Sequence, residues 1–463
     1  MIPKNQTHTS MKFRSILPVL FVLSCSFGSF TSCKEPSTGP DNKDTDSLVL
    51  KLKETDLTSA TLNLHTAGLI LPAQFSLLRN GDTVQTFSLY QSDTLFKDPF
   101  LIPSTRYTWQ VLMSKTNQKS NEVTGRTQDT TSHIFSWRLD TLGSAGSNLF
   151  DVVIVNDTCI WVAGDITTRP YSSFERYNAA MWNGKGWKKF RFVFPNYTGS
   201  ESVQIIRTLV LTGEQKLYFI SEIGSVVATD ITGEIEYFRT LVPETKGVPS
   251  ESWGTGIGDF YFSGMNGSLT SYNGSSFSLM PSNTDVDLMD IFSSGNGVLW
   301  STGNDLKKSV LLKYQVGSWF IFREFTRGPG MSGVLPVDDL RLAYSSVWQQ
   351  KGSDSIWVTT SWGVHKQSVK PDGKARWVYQ RRWDKPETNP VGFPSRIRGT
   401  DENNVWVSGY DGAVLHFNGW SWHRYTQFYN LNFWFLSLDV KVSKAVLVGE
   451  DLAGSAIILM FNP

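Results

Sequence analysis

The sequence predicts an all-β protein, a small β-sandwich followed by a larger ring of stacked four-stranded sheets, and three observations predict it. First, apolar residues alternate in short runs cut by turn dipeptides, most clearly between Ser395 and Tyr425. There Asn403-Asn404 precedes Val405-Trp406-Val407, Asp411-Gly412 precedes Ala413 to Phe417, and Asn418-Gly419 precedes Trp420 to Tyr425. Asp-Gly and Asn-Gly favour the positive φ of tight hairpin turns, so four short antiparallel strands follow. Second, the unit recurs. Its core Trp406-Val407 aligns with Trp161-Val162, Tyr218-Phe219, Tyr261-Phe262, Trp300-Ser301, Trp357-Val358 and a place within Ala445 to Gly449. Its aromatic-Asn-Gly half returns as Trp182-Asn183-Gly184 and Tyr272-Asn273-Gly274, with a looser form at Tyr314 and Gly317-Ser318-Trp319. Third, the pattern changes before about residue 128, where strands alternate without that repeat.

In chain order, residues 1–33 read as a signal peptide. Lys12 to Arg14 give a basic start, and Ile16 to Leu23 an apolar core too short to span a bilayer. Phe30-Thr31-Ser32-Cys33 resembles a bacterial lipoprotein signal, in which the Cys becomes the lipid-bearing N-terminus; Val22-Leu23-Ser24-Cys25 is a second, earlier match. Cys33 is preferred because residues 34–46 then read as a polar tether with Pro36, Gly39 and Pro40. Of the 3 Cys, only Cys159 lies in a later strand, as a small buried hydrophobe. No later run is long and apolar enough to span a membrane.

Residues 47–128 form the sandwich. Leu48 to Leu52, Ala60 to His65, Gln74 to Leu78 and Thr83 to Leu89 are alternating strands, the last two joined by Arg79-Asn80-Gly81-Asp82. Leu101-Ile102-Pro103-Ser104-Thr105-Arg106-Tyr107 resembles the Leu-x-Pro-x-Thr-x-Tyr corner of fibronectin type III modules, and Ser120 to Thr127 their last strand. The resemblance implies a spacer or adhesive module, with the Tyr107 hydroxyl bonded back to the backbone.

Residues 131–463 form the ring. Unit spacings of roughly 40–57 residues suit the blades of a β-propeller with loop insertions, and about seven units fall within the usual range of about four to eight. One four-stranded sheet cannot bury both faces, so the units must stack on one another. The last unit, Leu431 to Phe461, has room for three strands. His133 to Leu139, whose Phe-x-Trp pattern matches Trp420-Ser421-Trp422, is expected to supply its fourth and leave no open edge.

Composition narrows the function. With 43 Lys+Arg against 42 Asp+Glu the net charge is +1, which argues against a nucleic-acid binder. The 17 Trp fall mostly on repeat positions and read as packing between blades. WD40 marks are absent from the repeats; Ala228 to Gly233 is similar to a quinoprotein repeat but one residue short, and there is no sialidase box. The closer likeness is to the Trp-Val-x-Gly … Asn-Gly-x-x-Trp propellers of bacterial envelope lipoproteins, most of which have no assigned activity. No Cys/His cluster spaced for a metal and no cofactor motif is present.

Candidate site residues fall in three groups. Asp151, Arg207, Asp290 and Arg396 lie some ten residues before the core aromatics, and Arg398 two later, on strands expected to line the central channel. They either neutralise one another or form a polar floor for a ligand. The insertion Ile166 to Asn178 departs most from the repeat and carries Tyr171, Phe174 and Arg176; exposed aromatics beside Arg suit recognition, and packing against the sandwich is the other reading. Asp165, Asp305, Asp411, Glu450 and Asp451 follow second strands, where the turn itself favours Asp. The expected protein is a monomeric, non-catalytic, lipid-anchored envelope component of the outer membrane, binding a protein or glycan. The alternative is a glycan-active hydrolase or lyase using channel carboxylates.

Overall fold

The computed structural model describes residues 47–463 except 171–174, 196–199, 214, 240–246, 255–258, 296, 306, 327–342, 361, 371–372 and 381–391. The signal, Cys33 and the tether lie outside the described residues. No helix among the described residues is long and apolar enough to cross a membrane.

The sandwich has two sheets. Ser47–Thr55, Ser59–Ala67 and Asp93–Pro99 form one; Asp82–Leu89, Ala73–Arg79, Arg106–Met113 and Val123–Arg126 form the other. Inward residues of alternating strands, among them Leu50, Leu62, Leu64, Phe75, Leu77, Trp109 and Val111, fill the space between them. The Tyr107 ring is buried and its hydroxyl accepts the Ile102 N–H at 2.9 Å. The Trp109 indole N–H donates to Asp98 at 2.7 Å, which lets a large amphipathic ring be buried completely.

Among the described residues seven four-stranded sheets follow, at residues 148–190, 206–239, 249–279, 288–326, 344–380, 393–424 and 434–462, the last completed by Ser136–Leu142. Each first strand touches the first strand of the next sheet, and Trp434–Lys441 touches Asn148–Asn156, so the ring is closed. Facing sheets bury the repeated aromatics: Trp161, Trp300, Trp357 and Trp406 are among the largest fully enclosed side chains. The Gly of the Trp-Val-x-Gly pattern has a steric cause. At Gly164, Gly409 and Gly449 a Cβ would collide with the carbonyl oxygens of Asn148, Phe393 and Trp434, where each first strand begins.

The ring-closing strand runs three residues later than the sequence placed it, from Ser136 to Leu142, with Leu139 opposite Leu459 and Trp137 opposite Phe461. The preceding residues do other work. The outer strand of the sixth sheet is only Trp422–Arg424, and Phe135 and His133 cover the shelf it leaves. Phe135 meets Trp406 edge-on at 5.0 Å, and the Tyr425 hydroxyl donates to the His133 carbonyl at 3.0 Å. Here the sandwich also meets the ring: Thr131 donates to the Asn403 carbonyl, and Leu57 closes on Gly419.

Three histidines gather at this seam. His133 and His416 share a hydrogen bond between Nδ1 atoms at 2.9 Å, His416 Nε2 meets Asn404 at 3.1 Å, and the His423 ring lies 5.3 Å from His133. Burial, then the charges of His133 and His423, push His416 down to about 3. The folded state therefore holds His416 neutral while the unfolded chain takes a proton near 6.5, so stability is complete above that pH and is lost as pH falls toward the folded value. At pH 5 the loss from His416 alone should be about 2 kcal/mol. Denaturant melts at pH 7.5 and pH 5 should show a fall in stability that is smaller by that amount in His416→Leu; an equal fall would show that His416 is not the sensor.

Candidate functional site

Strand register organises the channel. On every first strand one residue stands opposite the residue two beyond the core position, and these are Asp151, Thr208, Glu251, Asp290, Ser346, Arg396 and Ser437. The sequence reading found three of them. Arg207 is not one: the register shifts between Ile206 and Thr208, and the bulge hands the position to Thr208. Arg207 instead lays its guanidinium over Phe150, 3.9 Å from the ring centroid, and burial pushes its pKa down.

Asp151 and Asp290 act as clasps between sheets. Asp151 accepts from Val152 N at 2.8 Å, from Leu209 N and Thr208 Oγ1 of the second sheet, both at 2.8 Å, and from Ser437 Oγ of the seventh at 2.7 Å. Asp290 accepts from Ile291 N, from Val347 N and Ser346 Oγ of the fifth sheet, and from Arg398 of the sixth. The Arg398 contact is a two-pronged pair at 3.0 and 2.7 Å. Such a fork is the strong form of charge-assisted bond, and neighbouring Asp290, Glu251 and Asp151 raise the Arg398 pKa against its burial. Asp439, unnoticed in the sequence, repeats the clasp by accepting from Val440 N and from Ile154 N of the first sheet. Arg398 thus gives its fork to Asp290, the mutual neutralisation that was one of the two readings of these residues. Desolvation still raises the Asp151 pKa, opposed by its hydrogen bonds.

Glu251 differs from both clasps. It is 5% exposed and lies within ion-pair distance of two cations. Its nearest cations are Arg396 Nε at 3.7 Å and Arg398 at 3.9 Å. Burial, then Asp151, hold its pKa well above the usual carboxylate range. Arg396 Nε is likewise buried without a hydrogen bond among the described residues. Trp253, Phe292 and Arg398 fill one side of the channel, the two rings 4.4 Å apart. Beside Trp253 and Arg398, which also line it, lies a cavity of about 160 Å³ bounded by residues of the first, second, third, sixth and seventh sheets.

The insertion is shorter than expected. The strands Cys159–Thr167 and Arg176–Trp182 pair through Ile166 with Tyr177 and Thr167 with Arg176, so only 168–175 lie between them. Tyr171 and Phe174 lie outside the described residues. Arg176 is a strand residue, its guanidinium forked onto Asp165, and Asn178 is buried. Packing of the insertion on the sandwich is not what the described residues show. The sandwich meets the turns of the sixth sheet at Asn403 and Gly419, on the opposite rim.

On the same rim as the insertion, a surface missed in the sequence reading is exposed. Phe393 and Tyr410 are paired in register, Tyr410 meets Trp434 edge-on at 5.9 Å, and the three are 39%, 41% and 40% exposed. Contacts tie this patch to the insertion rim, since Gly412 N bonds Phe433 O, and both Ser147 N to Gly454 O and Ser144 N to Thr167 O continue the rim into the first sheet. The turn carboxylates are structural: Asp305 accepts Lys307 N and Lys308 N, and Asp451 accepts Ser455 N. Among the described residues no group of three His, Cys, Asp or Glu is placed to hold a metal ion.

No protein-family model and no curated protein matches this sequence. Among solved structures the chain is similar to "YCF48 bound to D1 peptide", with a TM-score of 0.51 and 14% identity over 72% of this chain and 97% of that one. It is also similar to YCF48 from Cyanidioschyzon merolae, with a TM-score of 0.50 and 13% identity over 71% of this chain and 99% of that one. At such identities the likeness carries the fold: the chain is a β-propeller protein.

Proposed function

We propose that this chain is a lipid-anchored envelope protein, attached through Cys33 to the outer membrane, in which a fibronectin-like sandwich spaces a propeller that binds an extended segment of a partner protein. The observation that carries the reading is the aromatic patch Phe393, Tyr410 and Trp434, set on the rim where the strands Cys159–Thr167 and Arg176–Trp182 pair last, at Thr167 and Arg176. Amphipathic rings held by strands give contact area at low entropic cost. The peptide bound by YCF48 is support by analogy of fold. A glycan ligand is the second reading, favoured by the exposure of Tyr410 and Trp434. The hydrolase or lyase alternative has less support, because Asp151 and Asp290 spend their oxygens on neighbouring sheets.

One experiment tests the reading. A photo-cross-linking amino acid replaces Tyr410 in the full chain, with Phe320 on the outer strand Ser318–Thr326 as the control position, and Cys33→Ala is run in parallel. Membrane-bound protein cross-linked to a partner protein from Tyr410 but not from Phe320, and released from the membrane by Cys33→Ala, is expected. No adduct at Tyr410 would sink the binding face, and full membrane retention of Cys33→Ala would sink the anchor.

A further inference from the structure

The two ends of the sandwich differ in what they meet. Along the nine-residue strand Ser47–Thr55 the pairing with Ser59–Ala67 runs from Ser47 opposite Ala67 to Thr55 opposite Ala60, a length of roughly 27 Å at the rise of a β-strand. The turn beyond Thr55 carries Leu57 against Gly419 of the propeller. Ser47 therefore stands at the end away from that contact, and residues 34–46 join the sandwich there. Even fully extended, that stretch reaches at most about 45 Å, so a lipid on Cys33 would keep this end close to a bilayer.

Three loops gather at this end. Gly68 to Pro72 follows Ala67, Tyr90 follows Leu89 opposite Ala73, and the turn after Met113, which pairs with Phe75, carries Lys115. Backbone bonds tie them in: Thr66 N–H donates to the Ser92 carbonyl at 2.7 Å, and Ser114 N–H to the Gln74 carbonyl at 3.0 Å. Leu69 and Leu71 pack down on the sandwich core and leave Ile70 between them 90% exposed. Tyr90 is 75% exposed, and Lys115 and Lys119 are exposed as well. No Asp or Glu occurs within 66–73, 86–92 or 112–121, so the charge these loops carry is positive. Asp93, the next acid after Tyr90, is paired with His65 at 3.0 Å. One exposed Ile is ordinary on a protein surface. An Ile at the tip of an apolar loop, with an amphipathic ring and two lysines on the end that a lipid tether enters, has the composition of a membrane interface. There aliphatic tips enter the acyl boundary, Tyr sits at headgroup level, and Lys meets anionic headgroups.

We propose that this end of the sandwich docks on the lipid surface to which the chain is tethered, with Ile70 and Tyr90 in the interface and Lys115 and Lys119 against anionic headgroups. The inference rests on the attachment through Cys33 proposed above. Docking holds the sandwich end-on, with its propeller contact at Leu57 turned away from the bilayer.

For the test, the chain from residue 34 is held by an N-terminal hexahistidine tag, in place of the lipid, on vesicles of phosphatidylethanolamine and phosphatidylglycerol that carry a nickel-chelating lipid. A polarity-sensitive dye is placed at Ile70→Cys and, as control, at Val316→Cys, a 92% exposed residue in a turn of the propeller, both in a Cys159→Ala background. A blue shift with stronger emission on the vesicles is expected at position 70 and not at 316. Reversing Lys115→Glu and Lys119→Glu together should lower the ratio of docked to undocked protein roughly tenfold or more. No shift at 70 would leave this end to a protein partner or a second copy and overturns the proposal. So would equal shifts at both positions, which mean general adsorption, or a shift indifferent to the lysine reversal. Because the tag replaces the lipid, none of these results depends on Cys33, and failure of the anchor is read separately from membrane retention of Cys33→Ala.

Discussion

Deleting residues 131–142 should abolish the single cooperative melting transition of the propeller, with a loss on the order of 5 kcal/mol or more. Seven register pairs join Ser136–Leu142 to Ala456–Asn462, and net contributions of about 0.5–1.5 kcal/mol per hydrogen bond already approach that figure. Packing adds to it, because Phe135 leaves the edge of Trp406 and Leu139 leaves the cluster of Leu447, Leu459 and Phe461. The exposed Ala456–Asn462 edge would also recruit other strands, so aggregation should accompany unfolding. Calorimetric melts of the full chain and the deletion decide the matter. A shift of only a few degrees would mean that the ring holds without its closing strand, and recovery of the transition on adding a peptide of residues 131–142 would confirm the role.

Arg398→Ala should cost about 3–5 kcal/mol, the range for breaking a buried ion pair from one side. The reason is the partner left behind: Asp290 is fully buried, and without the guanidinium its charge keeps, among the described residues, Ser346 Oγ and two backbone N–H donors. Arg398→Lys should also be costly, since an ammonium cannot reproduce the fork. Removing both charges separates packing from electrostatics. Arg398→Met with Asp290→Asn should recover most of the loss, because replacing a buried pair by uncharged groups of similar volume is often near neutral. Urea denaturation of the single and double variants reads this directly, and an Arg398→Ala loss below about 1 kcal/mol would show that the clasp does not bind the sheets.

Much of the fold was legible because it is written locally. Turn dipeptides set the strand ends, the Leu101 to Tyr107 corner set the sandwich, and the incomplete last unit pointed to a strand before Asn148. The channel was legible only where counting ran unbroken. A bulge before Thr208 moved Arg207 off the channel position, and another between Ala163 and Ile166 carried the strand pairing up to Arg176. Glu251 follows a stretch that reads as a loop, so its register with Ser263 was missed, although it stands ten residues before Tyr261 like Asp151 before Trp161. Arg398 meets a partner 108 residues away, which spacing does not reveal. The aromatic rim was hidden for another reason: Phe393, Tyr410 and Trp434 belong to the same alternation as the buried rings and differ only in standing at strand ends.

The closure of the ring has a bearing on the order of events during synthesis. Leu142 pairs with Ala456, a separation of 314 residues (456 − 142), so one half of that contact leaves the ribosome before the first blade and the other after every other described strand. Until then Ser136–Leu142 has no partner, and the seventh sheet lacks its two outer strands. A nascent chain can therefore build sheets one after another, yet completes the closed ring only once the Ala456–Asn462 strand has been made. Contacts this distant in sequence form slowly, which leaves an interval in which the ring is open. A chain cut short before Ala456 would remain an open arc with two unpaired edges, a form that quality-control proteases and chaperones can tell from the finished molecule.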